Sequence, residues 1–448
     1  MAIRRKSCNG RLPSRNVSRV SELIRAARAI VSGTTYDDFA FVIEGGRIAD
    51  TGDYVAVRDR HPGVAERSFP STRLLVPGFI NGHSHAYQIL LRGWADDLPF
   101  ATWRSDALYR VIPHLTPDDI YAVFVSAFCE MLAAGITTVT EFFYLNGSGN
   151  AHAEAAIAAA AATGIRLVFA RTWMDADYAP NAFRESIDDA IARTDDLRVR
   201  FPEANVCIAP HSLHAASPEM IRIASQYAAE YGCKMHIHVA EAAYEGEQTL
   251  AAHGATPVML LDRLDALNER TVAVHAIFIS EEEKRLLAER RSAVVHNPVT
   301  NMYLGDGVCD VIGLQALGVT MGLGTDADVK PSLIDEIRAA SYLQKVDRRD
   351  GAALGARVAF DLGTAQGARA LGIAAGDFAV GNFADFLVMD AQGIDPWNKP
   401  LNGLVYRAES SWVQAAFVGG RRVFIGEASD LEVRARQATA AIARRLIC

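Results

Sequence analysis

His83 and His85 close a short run, Val76-Pro77-Gly78-Phe79-Ile80-Asn81-Gly82, in which apolar residues give way to turn formers. Residues two apart in an extended strand point to the same side, so the two imidazoles lie together and can share one metal ion. Two solvated histidines at a polar strand end would have the same spacing. Their company decides the matter. Glu141 and Tyr144, His211 and His214, His236, His238 and Glu241, His275, His296 and Asp326 each fall at or just beyond another short apolar run. A catalytic zinc takes three or four nitrogen or oxygen ligands and keeps a position for water. His83, His85, His238 and Asp326 make such a set. His236 is the alternative to His238, because alternation puts both on one side; His238 stands nearer the strand end, with Glu241 three residues on. A helix cap is the competing role for Asp326, and Asp328 is the more natural cap.

Such an ion lowers the pKa of bound water towards ~7, making a metal-bound hydroxide available as nucleophile. Glu241 is placed to move the water's proton to the leaving group. His275 can orient the hydroxide or stabilise charge on the substrate. No lysine ends the third or fourth apolar run, where a bridging carbamate would serve two metals, so one divalent ion is expected, zinc first and iron second.

The elements that must position these residues read as repeated βα units. Strands are expected at Val76–Phe79, Thr137–Thr140, Leu167–Arg171, Val206–Ala209, Met235–Val239, Val272–His275, Ala293–His296 and Thr320–Gly324. Between them lie amphipathic helices with clear starts: Thr116-Pro117-Asp118-Asp119, Ser217-Pro218-Glu219, and Ser280 with Glu283. Eight such strands predict an α/β fold, a (β/α)8 TIM barrel over 76–372, with its chemistry at the C-terminal strand ends. No Gly-x-Gly-x-x-Gly follows a strand, which argues against a nucleotide-binding open sheet. The flanks, 22–75 and 373–448, carry short β-rich pieces and predict one small β-sandwich domain formed from both termini, with a C-terminal helix. Residues 1–21 are basic and polar without an apolar run, and read as a disordered extension rather than a secretory signal.

The 448 residues carry a net charge of −8. That balance offers no general attraction to nucleic acid or an anionic membrane, so a small molecule is the expected partner. The Ala-rich stretch from Ala153 is interrupted by Glu154, Gly164 and Arg166, and reads as a helix followed by a strand rather than a membrane span. Cys8, Cys129, Cys207, Cys233, Cys309 and Cys448 form no Cys-x-x-Cys pair, as expected of thiols in a reducing cytoplasm.

From Leu23 to about Ile425 the chain resembles the amidohydrolase superfamily, in its aminohydrolase branch of deaminases, iminohydrolases and triazine hydrolases. The resemblance rests on Pro77-Gly78-Phe79-Ile80-Asn81-Gly82-His83-Ser84-His85, His236-Ile237-His238-Val239-Ala240-Glu241, Val274-His275 and Gly324-Thr325-Asp326. It implies the same roles for these side chains, and a homodimer. Two subfamilies share the rest. His83 to Gln88, Thr102-Trp103-Arg104, Glu141 to Tyr144 and His211-Ser212-Leu213 are similar to N-formimidoyl-L-glutamate iminohydrolase, which implies substrate contacts from Gln88, Arg104, Tyr144 and His211. That family continues with an arginine where this chain has His214, and an imidazole cannot replace a bidentate guanidinium. Leu91 to Pro99, Val294 to Pro298 and Asn301-Met302 are similar to S-adenosylhomocysteine and methylthioadenosine deaminases and triazine hydrolases. The expected activity is therefore release of ammonia from an amino-substituted nitrogen heterocycle (purine, pterin or triazine-like), with His214 marking the changed specificity. An iminohydrolase, cleavage of another C–N or C–Cl bond, and a non-catalytic barrel scaffold are the alternatives.

Overall fold

The computed structural model describes residues 21–94, 96–147, 149–394 and 398–447. The basic extension expected over 1–21 lies outside them except for Ser21. Both flanks of the chain build one sheet. Strands β1 (Glu22–Val31), β2 (Thr34–Glu44), β3 (Arg47–Asp53), β4 (Ala65–Phe69) and β5 (Arg73–Pro77) precede the barrel, and β14 (Phe386–Asp390), β15 (Val413–Val418) and β16 (Arg421–Phe424) follow it. They hydrogen-bond in the order β16-β15-β14-β5-β1-β2-β3, with β4 beside β1. The sandwich expected of the two termini is thus a single folded sheet. Phe41 on β2 meets Phe386 on β14 at 5.3 Å between ring centroids, although two strands separate them in the hydrogen-bonded order.

Eight parallel strands form the barrel: β6 (Phe79–Ser84), β7 (Ile136–Phe143), β8 (Arg166–Trp173), β9 (Cys207–Pro210), β10 (Met235–Val239), β11 (Thr271–His275), β12 (Ala293–His296) and β13 (Met321–Leu323). A bridge between Ser84 and Asp326 joins the two ends of the sheet. One expected strand is divided differently. Leu74 to Val76 belong to β5, paired with β14, and the barrel begins only after Pro77-Gly78. Proline has no N–H for a ladder. A Cβ at Gly78 would lie 2.1 Å from Thr137 Oγ1, so only glycine lets the chain cross from sheet to barrel here.

The helix starts are where local chemistry places them. Thr116 Oγ1 accepts from Asp119 N at 3.2 Å, while Thr116 N donates to Asp119 Oδ2 at 2.9 Å, opening Pro117–Ala133. Ser280 opens Glu281–Glu289 in the same way with Glu283, and Ser217 caps Pro218–Tyr231 through its side chain alone, accepting from Met220 N. The C-terminal helix, Asp430–Ile447, lies on the barrel rather than on the folded sheet: Arg445 Nη2 donates to Asp119 Oδ2 at 2.7 Å. Among the described residues no helix is long and apolar enough to cross a membrane.

Candidate active site

Several strands leave the C-terminal face of the barrel through left-handed backbone on residues other than glycine. Ala240 has φ 52°, His275 75°, Ala276 49°, Asp326 52° and Asp328 50°. Such conformations cost about 1–3 kcal/mol each, and they gather where geometry serves function. Here they turn the chain at the strand ends that carry Glu241, His275 and Asp326.

The side chains converge as the spacing predicts. The His83 and His85 rings lie 4.7 Å apart. His83 Nε2 stands 3.2 Å from Asp326 Oδ1 and 3.2 Å from His238 Nε2, and His85 Nε2 is 3.4 Å from Asp326 Oδ1. His275, expected beside the metal rather than on it, stands where His85 was expected in the tightest group: one ligand atom each from His83, His238, His275 and Asp326 lie within 4.8 Å of one another, and His85 touches that group through Asp326.

Hydrogen bonds on the far ring nitrogens set the tautomers. His85 Nδ1–H donates to Phe142 O at 2.8 Å, His238 Nδ1–H to His211 O at 2.9 Å, and His275 Nδ1–H to Asn301 Oδ1 at 3.3 Å. Each Nε2 then presents a lone pair to the cluster. Protonation does not relieve the crowding, because burial lowers the pKa of His83, His85 (to about 3) and His238. Converging lone pairs and a carboxylate repel one another unless a cation lies between them, so the donor set fits a metal ion. His275 Nε2, fully buried, has no hydrogen-bond partner among the described residues, which is consistent with that fit.

Glu241 faces the cluster, with Oε1 3.5 Å from His275 Nε2. Burial, then the charges of Asp326 and Glu245, pushes its pKa well above the ordinary carboxylate value. For Asp326 burial works in the same direction, but the His83 hydrogen bond and the neighbouring imidazoles outweigh it and lower its pKa. Two carboxyls in one site are thereby driven apart, as acid–base work requires.

Glu241, His85, His238 and Asp326 surface one cavity, and Gln88, Arg104, Tyr144, His211 and His214 line it with them. The structure therefore brings every expected substrate-contacting residue around one cavity. Gln88 Nε2 donates to Tyr144 Oη at 3.2 Å. Arg104 lies in a π-helical turn (Trp103–Leu108), donates to Tyr178 Oη and stacks 4.7 Å from that ring, against which His214 packs at 4.4 Å.

Five neighbours of the site had no place in it from the sequence reading. Asn301 accepts from His275 Nδ1, with Asn297 beside it; their i, i+4 spacing at the start of Pro298–Leu304 was a usable signal. Glu245, four residues after Glu241, accepts from Ala242 N at 3.1 Å and lines the cavity. Asp306 carries no motif. Burial, then the charge of Glu241, raises its pKa to about 8. Asp328, expected as a helix cap, is fully buried and accepts from Ser84 Oγ at 2.7 Å, whereas Ser332 caps Leu333–Arg348.

A parallel barrel that collects histidines and carboxylates at its C-terminal mouth is the architecture of a metal-assisted hydrolase. The description of the amidohydrolase family matches residues 74–423. The 5'-deoxyadenosine deaminase of Methanothermobacter thermautotrophicus is 35% identical over 393 residues, covering 85% of this chain and 88% of that protein. The 5-methylthioadenosine/S-adenosylhomocysteine deaminase of Pyrococcus furiosus is 31% identical, with 79% and 84% covered. A crystal structure of an adenosine deaminase from Xanthomonas campestris with bound zinc superposes with a TM-score of 0.85 at 28% identity, covering 94% of this chain and 98% of that one. The chain belongs to the amidohydrolase family. It is a hydrolase of carbon–nitrogen bonds other than peptide bonds, and neither the iminohydrolase nor the scaffold alternative is supported by these relatives.

Proposed function

We propose that the chain is a metal-dependent deaminase of adenosine-type nucleosides, replacing the amino group of the purine with oxygen and releasing ammonia. The observation that carries this reading is the position of Glu241, which faces the histidine–aspartate cluster and lines one cavity with His85, His238 and Asp326. The names of the relatives at 30–35% identity support the substrate class.

His83, His85, His238 and Asp326, with His275 beside them, would hold one divalent cation, zinc in preference to iron, which would supply an acidified water. Glu241 takes one proton from the attacking water and passes it to the ring nitrogen next to that carbon. Asp326, which stays ionised, relays the second proton to the amino group. The C–N bond then breaks, leaving a ring carbonyl, a ring N–H and ammonia. His275 orients the attacking oxygen, while Gln88, Arg104, Tyr144, His211 and His214 hold the substrate.

In this reading 76–372 carries the chemistry, and 22–75 with 373–448 supports it. Unpaired thiols at Cys129, Cys207, Cys233 and Cys309 fit a cytoplasmic setting. The homodimer rests on family resemblance.

Ammonia release from 5'-deoxyadenosine, 5'-methylthioadenosine, S-adenosylhomocysteine and adenine tests the proposal. Turnover of the nucleosides that disappears in Glu241→Gln is the expected result. Silence on all nucleosides by metal-loaded protein overturns it.

A further inference from the structure

The barrel has a seam, and the metal-binding side chains sit on both sides of it. β10 and β11 pair over Met235–Val239, and β7 and β8 over Thr138–Phe143. Between β6 and β13 the ladder shrinks to the bridge of Ser84 with Asp326. Thr325 N and Asp326 N both donate to His83 O, at 2.9 and 3.0 Å, and His85 N donates to Asp326 O at 2.8 Å. His83 and His85 thus approach from one edge and Asp326 from the other, joined by three backbone hydrogen bonds, with no continuous ladder to hold the edges beyond that point.

Side chains take over that task. Ser84, between the two histidines, donates from Oγ to Asp328 Oδ2 at 2.7 Å. Thr325 Oγ1 donates to Asp328 Oδ1 at 2.5 Å and accepts from Asn81 Nδ2 at 2.7 Å. Asn81 Oδ1 accepts from Thr325 N at 3.0 Å, closing the loop. Arg92 Nε donates to the Asp328 carbonyl at 2.6 Å and anchors it from behind. Asp328, Ser84, Thr325 and Asn81 are all buried. A carboxylate suits the central place because each of its oxygens accepts one hydroxyl; an asparagine would turn an N–H₂ towards one of them.

We propose that Asp328 is a positioning residue for the metal centre, clasping Ser84, between His83 and His85, to the loop that carries Asp326. The proposal rests on the metal reading of the site. Partners that orient ligands in this way are worth about 10–100-fold in metal affinity.

The test is zinc affinity of the stripped full-length protein by chelator competition, for wild type, Asp328→Asn, Ser84→Ala and the double variant. Glu185→Gln serves as control: it breaks a buried pair with Arg171, 2.7 Å apart, on an element away from the seam. Each seam variant is expected to lose about 10–100-fold in affinity, and the double variant no more than the worse single one, because both remove the same clasp. Glu185→Gln is expected to lower Tm and leave zinc affinity unchanged. Full affinity in both single variants, losses that multiply, or an equal loss in Glu185→Gln overturns the proposal. Failure of the wild type to bind one zinc strikes instead at the metal reading on which it rests.

Discussion

In the folded terminal sheet, Phe386 stacks on Phe417 at 4.3 Å, and Phe41 meets Phe378 at 5.0 Å. Its left-handed residues other than glycine include Ser32, at an exposed turn, and Asp38, a half-buried position within β2. At the barrel mouth the pattern reverses: His275, Asp326 and Asp328 are left-handed and buried, and lone pairs face one another. One region largely obeys local preference and gains stability by packing. The other breaks several local rules at once, which a sequence tolerates where chemistry depends on it. Damage to the two regions should therefore register in different measurements.

The largest separation is expected from Glu241→Gln. Loss of a proton-transfer group costs typically 10²–10⁴-fold in rate, so kcat should fall by about that factor while Tm and metal content stay at wild-type values. Loss of metal along with activity would place Glu241 among the ligands. Phe386→Ala is the converse: removing a buried aromatic from a packed core costs about 3–5 kcal/mol. Denaturant unfolding should show that loss, with kcat per folded molecule preserved; a matching fall in kcat would mean that the sheet shapes the site.

A subtler effect concerns His214, whose pKa burial and the Arg104 charge lower to about 4. Unfolded, it would titrate near 6.5, so between pH 6.5 and 4 the unfolded chain binds the proton and the folded one does not. Stability from this residue is complete above pH 6.5 and falls, by up to about 3 kcal/mol, as the pH drops towards 4. His214→Gln should flatten that part of the stability–pH curve; an unchanged slope would show that the ring titrates normally. The smallest effect is expected from Glu245→Gln. Without this neighbouring charge the raised pKa of Glu241 should fall, moving the acid limb of the kcat/KM profile to lower pH.

The terminal residues of the barrel strands were the legible part of the sequence. Alternation and capping signals placed β7 to β13 and the helix starts, and His83, His85, His238, Glu241, His275 and Asp326 stood out because chemistry-bearing types recurred at strand ends. Val76 and Pro77 read as barrel because an apolar run does not announce which sheet it joins; Thr137 against Gly78 marks the crossing. Asp328 read as a cap because its partners, Ser84 and Thr325, meet it across a seam that sequence distance conceals. Asp306 and Tyr178 sit on loops whose course no periodicity predicts.

The most direct test of the account is a zinc titration of the metal-stripped protein, with ammonia release from 5'-deoxyadenosine as the readout. Activity that starts near zero, rises linearly and breaks at one ion per chain is the predicted result. Full activity before any metal is added, a break at two ions, or no ammonia from the saturated protein would contradict it.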